Sequence, residues 1–230
     1  SAKWLRRHSV TKPISVVPTG VPKGEFHTRA ESRQRLGIPP DQKLLLYVGR
    51  LAKEKNLDVL FDGVSKVLAS QPDCRLWLVG DGPYREDCQS LVRRLGIGDK
   101  VRFVGSVARE QVDRYYAAAD LFVFASITET QGLVILEAMN YGLPAVAMAG
   151  GGAAEAITDG VDGLVARPEP QSLADAILSV LANEDLQASL SENALKTARA
   201  QGPEHSVDRI LDVYRTVLED RQDIRKGALV

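Results

Sequence analysis

Leu44-Leu45-Leu46-Tyr47-Val48-Gly49-Arg50-Leu51-Ala52-Lys53-Glu54-Lys55-Asn56 is the stretch that decides the fold. Its opening run, 44–48, is apolar throughout and predicts a strand. Gly49-Arg50 begins a polar loop. Beyond the loop, Leu57, Leu60, Phe61, Val64 and Leu68 recur at spacings of three and four, which predicts an amphipathic helix over 56–68. A strand that is apolar at every position, rather than alternating, is buried on both faces. That is the condition of a parallel sheet covered by helices.

The alternation continues downstream. Short apolar runs predict strands over 75–79, 101–104, 121–124, 145–148 and 163–165. Between them lie helices over 84–95 (closed by Gly96), 109–118, and 132–141 with Gly142 and Pro144 beyond it, then a short helix over 153–157. Helices over 171–181, 185–200 and 203–219 follow, and the final residues are expected to fray. Upstream, 29–36 is a helical turn before Gly37 and Pro39-Pro40, and Ile14-Ser15-Val16-Val17 reads as a strand stopped by Pro18-Thr19-Gly20. The class is α/β, with right-handed connections and ligands expected at the carboxyl ends of the strands.

Composition narrows the function. The chain has 230 residues, 44% hydrophobic and 26% charged, which fits a folded domain rather than a disordered segment. Lys plus Arg is 29 against 30 Asp plus Glu, so nothing global attracts nucleic acid or an anionic membrane. The charge is uneven locally: Lys3, Arg6, Arg7, Lys12 and Lys23 precede the first acid, Glu25. The 2 cysteines, Cys74 and Cys88, form no Cys-x-x-Cys pair, so a reducing, cytoplasmic setting is expected. No apolar run approaches the roughly 20 residues of a membrane span. The 3 histidines are scattered, which disfavours a protein-built metal site. Ser1-Ala2-Lys3-Trp4-Leu5-Arg6-Arg7 reads like the middle of a helix, as in a piece of a longer protein.

The loops after the strands carry the chemistry. Gly49-Arg50 to Lys55-Asn56 lets a ligand approach backbone at Gly49 and offers a guanidinium fork and a flexible ammonium, a pair suited to a diphosphate. A solvated charged turn is the competing reading. Neither a P-loop nor a Gly-x-Gly-x-x-Gly fingerprint is present. Gly80-Asp81-Gly82-Pro83 is a tight turn expected at the same sheet edge. In Ser126-Ile127-Thr128-Glu129-Thr130-Gln131-Gly132, Glu129 lies in a loop, whereas Glu137 lies in the next helix among Leu133, Val134, Leu136, Ala138 and Met139. A carboxylate there is costly to bury unless it accepts hydrogen bonds, which a sugar's vicinal hydroxyls would supply. An exposed helical stripe is the alternative. Gly150-Gly151-Gly152 suits either backbone approach to a ligand or a plain hinge. Tyr115-Tyr116 reads as packing, and His27 as a loop histidine.

Taken together, Val17-Pro18-Thr19-Gly20-Val21, Tyr47-Val48-Gly49-Arg50, Lys55-Asn56, Val79-Gly80-Asp81-Gly82-Pro83, Val101-Arg102-Phe103-Val104-Gly105, Ala119-Asp120, Glu129-x7-Glu137-Ala138-Met139 and Gly151-Gly152-x-x-Glu155 resemble, in order, the C-terminal donor-binding domain of retaining GT-B glycosyltransferases of family GT4. The resemblance implies a Rossmann-like three-layer parallel sheet, the C-terminal half of a GT-B fold. Residues 1–24 would be an interdomain crossing segment with a first strand, 25–165 the nucleotide-sugar-binding domain and 166–230 the C-terminal helices. Arg50 and Lys55 would hold the donor diphosphate and, with Glu129 facing the donor sugar, carry catalysis. Glu137 would bind the ribose, the backbone near Phe103-Val104 would meet the base, and Gly82, Gly132, Leu133 and the glycines at 150–152 would shape the pocket.

The implied reaction moves a hexose-type sugar from a nucleoside diphosphate sugar, UDP by family frequency, with retention and with no bound metal or other cofactor. The absence of an Asp-x-Asp agrees. The implied partners are the donor and a missing N-terminal acceptor-binding domain, without which transfer by this chain alone is not expected. Nucleic acid is not among them, and the full-length protein could meet the inner face of a membrane peripherally. Two positions depart from the family pattern: Thr19, where Asn is frequent, and Thr130-Gln131 before the glycine. The 126–132 loop looks more like members acting on lipid or phosphoinositol-like acceptors than like sucrose or glycogen enzymes. A non-catalytic nucleotide-binding module, or another GT-B enzyme such as a nucleotide-sugar epimerase, remains the alternative.

Overall fold

A computed structural model describes residues 2–25 and 27–227, with side chains at 5–25 and 27–219. Ser1, Phe26 and residues 228–230, the last of those expected to fray, lie outside the described residues. The chain divides into two compact units, Ser1–Pro22 with Ala200–Val230, and Lys23–Arg199.

The larger unit holds a six-stranded, all-parallel sheet: β1 (Lys43–Val48), β2 (Cys74–Val79), β3 (Val101–Gly105), β4 (Leu121–Phe124), β5 (Ala145–Met148) and β6 (Gly163–Ala166). Its order is β3-β2-β1-β4-β5-β6. The helices are α1 (Ala2–Arg7), α2 (Arg29–Leu36), α3 (Leu57–Ser70), α4 (Arg85–Arg94), α5 (Arg109–Ala118), α6 (Leu133–Met139), α7 (Gly152–Glu155), α8 (Pro170–Leu181), α9 (Glu184–Ala200) and α10 (Pro203–Gly227). Right-handed crossovers place α3 and α4 on one face of the sheet and α5 and α6 on the other. Helix α8 packs on α3, and α2 on α5.

Burial explains the strand composition. Leu44–Tyr47, Leu76, Leu78, Phe122, Val123 and Ala145–Met148 have no exposed surface. Five rings form a ladder through one side of this core. Tyr47 stacks on Phe124 at 5.7 Å, Phe124 on Phe122 at 5.9 Å, Phe122 meets Tyr116 at 5.9 Å, and Tyr116 stacks on Tyr141 at 5.9 Å. Each such pair contributes about 0.5–1.5 kcal/mol beyond its buried area.

The strand expected over 14–17 does not form. Pro13 and Pro18 bracket the segment and lack N–H donors, Val16 is exposed, and no neighbouring strand pairs with it. The segment runs without regular structure, tied to its own unit by Ser206 Oγ donating to Pro18 O at 2.8 Å. No helix of the described residues is long and apolar enough to cross a membrane.

Candidate functional site

The sheet order reverses between β1 and β4, where the connections run to opposite sides and leave a crevice beyond the strands' carboxyl ends. The loop after β1 is built to reach across it. A 3-10 turn over Lys53–Lys55 ends at Asn56, whose φ of 56° is a left-handed conformation that asparagine tolerates. Asn56 thus ends the turn and begins α3, while its Nδ2 donates to Ala125 O at the end of β4 (3.2 Å). Thr128 Oγ1 donates to Glu54 O at 3.0 Å. Above both contacts, Lys55 Nζ meets Glu129 Oε2 at 2.6 Å, the side chains 19% and 27% exposed. Lys55 and Glu129, singled out separately in the sequence, are therefore one ion pair spanning the switch point.

Arg50 stands apart from that pair. Its side chain is exposed and pairs with Glu54, four residues on. Its carbonyl, by contrast, is fixed by the Tyr47 hydroxyl, which donates to it at 3.1 Å.

The remaining loops knit into one rim. Leu51 N–H donates to Asp81 O and Tyr84 N–H to Leu51 O, both at 3.0 Å, so the Gly82 turn lies directly on the Leu51 backbone. Arg85 pairs with Asp81 at 2.8 Å, sits 5.9 Å from the Phe103 ring centre and donates to Phe103 O at 3.5 Å. Phe103 and Val104 are half-buried beside it. On the other side, Gly152 N–H donates to Glu129 O at 2.6 Å. A β-carbon at Gly151 would lie 2.7 Å from the Ile127 carbonyl. Gly151 and Gly152 therefore let the loop after β5 close on the backbone carrying Glu129, which neither a ligand approach nor a plain hinge requires, and Gly150 is kept by its φ of 118°.

Gly132 caps the N-terminus of α6 at φ 63°, and Leu133 opens the helix half-buried. The helix buries Ile135, Leu136, Ala138 and Met139 and turns Glu137 toward α5. Glu137 is 19% exposed. Arg109 Nη2 lies 3.0 Å from Oε1, and the Tyr116 hydroxyl donates to Oε2 at 2.8 Å. A tyrosine donor and an arginine counter-charge thus meet a carboxylate whose partners were expected from a sugar. Burial, and then the Glu137 carboxylate, pushes the Tyr116 phenol well above its ordinary pKa, so it remains a donor. Neither partner was singled out for chemistry from the sequence. The signal was there: 109 and 116 are seven apart on one helix, hence on one face.

Among the described residues no group of three or more His, Cys, Asp or Glu is placed to hold a metal ion. His27 lies 3.7 Å from Glu25, away from the rim. A cavity of about 440 Å³ opens at the amino ends of the strands, between Lys43, Asp120 and Pro144. The residues singled out for chemistry sit at the opposite edge, and volume alone does not make the cavity the site.

Residues 28–197 match the family described as glycosyl transferases group 1. A D-inositol 3-phosphate glycosyltransferase from Nocardioides sp. is 37% identical over 232 residues, covering 93% of this chain and 50% of that protein. Sucrose-phosphate synthase from Thermosynechococcus elongatus superposes with a TM-score of 0.85 at 30% identity, over 95% of this chain and 56% of that one. Anabaena HepE in complex with UDP-glucose superposes with a TM-score of 0.77 at 27% identity, over 89% of this chain and 57% of that one. The chain spans about half the length of the curated relatives it matches.

Proposed function

We propose that this chain, which belongs to the glycosyl transferases group 1 family, is the donor-binding C-terminal half of a retaining GT-B glycosyltransferase that takes a hexose from a nucleoside diphosphate sugar. The observation that carries the reading is the Lys55–Glu129 pair at 2.6 Å across the switch point. It joins a candidate phosphate cation to a candidate sugar-facing carboxylate where open α/β sheets bind ligands. Arg50, with an exposed fork, and Lys55 receive the diphosphate. Glu129 faces the sugar, Glu137 the ribose, and the backbone at Phe103-Val104 the base. Gly82, Gly132 and Leu133 line the walls.

Catalysis on this reading is electrostatic. The C1–oxygen bond breaks with its electron pair passing to the departing diphosphate, and the sugar develops oxocarbenium character. Arg50 and Lys55 meet the negative charge as it forms, which accelerates the step because the interaction is stronger in the transition state than in the bound donor. No residue of the rim is a convincing covalent nucleophile. The HepE complex with UDP-glucose supports a uridine donor. The relatives named for D-inositol 3-phosphate support a phosphorylated cyclitol over a lipid acceptor, bound by a further domain of the whole protein.

Calorimetric titration with UDP, GDP, ADP and TDP, with and without magnesium, tests the reading. Micromolar to low-millimolar binding of UDP, unchanged without the metal, is the expected result. Binding by none of the four removes the donor site from this chain.

A further inference from the structure

We infer that Arg109 and Tyr116, both on α5, are positioning residues that hold the Glu137 carboxylate in the one orientation able to receive a vicinal diol, and so set discrimination between ribo- and deoxyribonucleotides. The inference rests on the ribose role proposed for Glu137.

The geometry is specific. A carboxylate has two oxygens with about four lone-pair sites. The Arg109 ion pair covers Oε1, and the Tyr116 hydroxyl takes one site on Oε2. Each oxygen keeps a site, and the two left over match the two donors of a vicinal diol. The Tyr116 hydroxyl has little freedom, because its side chain is 1% exposed and its ring lies between Phe122 and Tyr141, 5.9 Å from each. The Arg109 guanidinium adds a second effect: it offsets the negative charge of Glu137, which would otherwise repel an incoming diphosphate. A carboxylate held at both oxygens also loses little rotamer freedom when the ligand arrives. On α6 alone the same side chain would have several rotamers and an uncompensated charge.

The test is the ratio of dissociation constants for 2′-deoxy-UDP and UDP, measured calorimetrically on the whole chain and its variants. Loss of a hydroxyl that donates to a carboxylate makes this ratio roughly ten or more in the unmodified protein. In Glu137→Ala it falls to about one. In Tyr116→Phe and Arg109→Ala it falls about fivefold, although neither side chain touches the ribose, and Arg109→Lys recovers part of it. Because any general loss of diphosphate affinity moves both nucleotides together, the ratio isolates the orienting role. A ratio unchanged in Tyr116→Phe and Arg109→Ala, while Glu137→Ala abolishes it, overturns the positioning role alone. A ratio near one in the unmodified protein, or unchanged in Glu137→Ala, overturns the ribose assignment and the positioning role with it. Thermal melts of each variant separate these outcomes from loss of fold.

Discussion

Two charge constellations sit at opposite ends of the same sheet. At the amino ends, Asp120 is 4% exposed and accepts from three donors: Arg29 Nη2 at 2.7 Å, Arg33 Nη1 at 3.3 Å and the Leu44 N–H at 2.7 Å. Arg33, itself buried, donates further through its two terminal nitrogens to the carbonyls of Ala118, Pro39 and Gln42, while its Nε is left without a partner. Arg29 and Arg33 are one turn apart on α2, a helix begun by the Thr28 cap, whose side chain accepts from Glu31 N–H. At the carboxyl ends, Lys55 and Glu129 hold one another by a single contact and keep part of their surface in water. A buried ion held by several partners is locked, because removing one of them strands a charge. A half-exposed pair with one contact is exchangeable. On the proposed reading, the difference separates a charge used to build the fold from one available to a ligand.

Breaking the locked end produces the largest effect. Asp120→Ala leaves Arg33 buried without its counter-ion and should cost about 3–5 kcal/mol, or roughly 10 °C or more in melting temperature for a chain of this size. UDP affinity of the protein that remains folded should not change. A melting temperature within a degree or two of the parent would show that the two ends do not differ in kind.

At the exchangeable end the pattern inverts. Lys55→Ala should leave the melting curve within about 1 kcal/mol of the parent. It should weaken UDP by roughly 10–100-fold, the worth of a hydrogen bond to a charged group, and leave uridine unaffected. Equal losses for UDP and uridine would remove Lys55 from the phosphate.

The parts of this contrast that could be read from the sequence are the local ones. Apolar runs such as 44–48 and 121–124, with glycine and proline between them, announce buried strands without reference to anything distant. The loop residues Arg50, Lys55 and Glu129 were visible for the same reason, as polar groups at strand ends. What depends on remote partners was not legible. Residues 14–17 have strand composition, but a strand also needs a neighbour, and none lies beside it. The Arg33–Asp120 contact joins residues 87 apart, and the Tyr116–Glu137 bond residues 21 apart on different helices. The glycine triplet at 150–152 could be recognised as special, but its cause, the backbone of 127–130, lies on another loop.

A small change of unusual sign is expected at the Lys55–Glu129 pair. Glu129 holds the Lys55 ammonium, so on the proposed reading it competes with the donor phosphate for it. Glu129→Gln keeps the shape and the hydrogen-bonding capacity but removes that competing charge. Free UDP, which brings no sugar for Glu129 to contact, should therefore bind two- to fivefold more tightly, on the order of 0.5–1 kcal/mol. Transfer from the intact sugar donor by the whole protein should slow, since the carboxylate proposed to face the sugar is lost. The same substitution at the locked end, Asp120→Asn, can only weaken its network, because nothing there waits to be released. A Glu129→Gln variant that binds UDP more weakly than the parent would mean that Lys55 and Glu129 act as a fixed structural pair, and the exchangeable end of the sheet would have to be sought at Arg50, which with its partner Glu54 is more exposed than that pair.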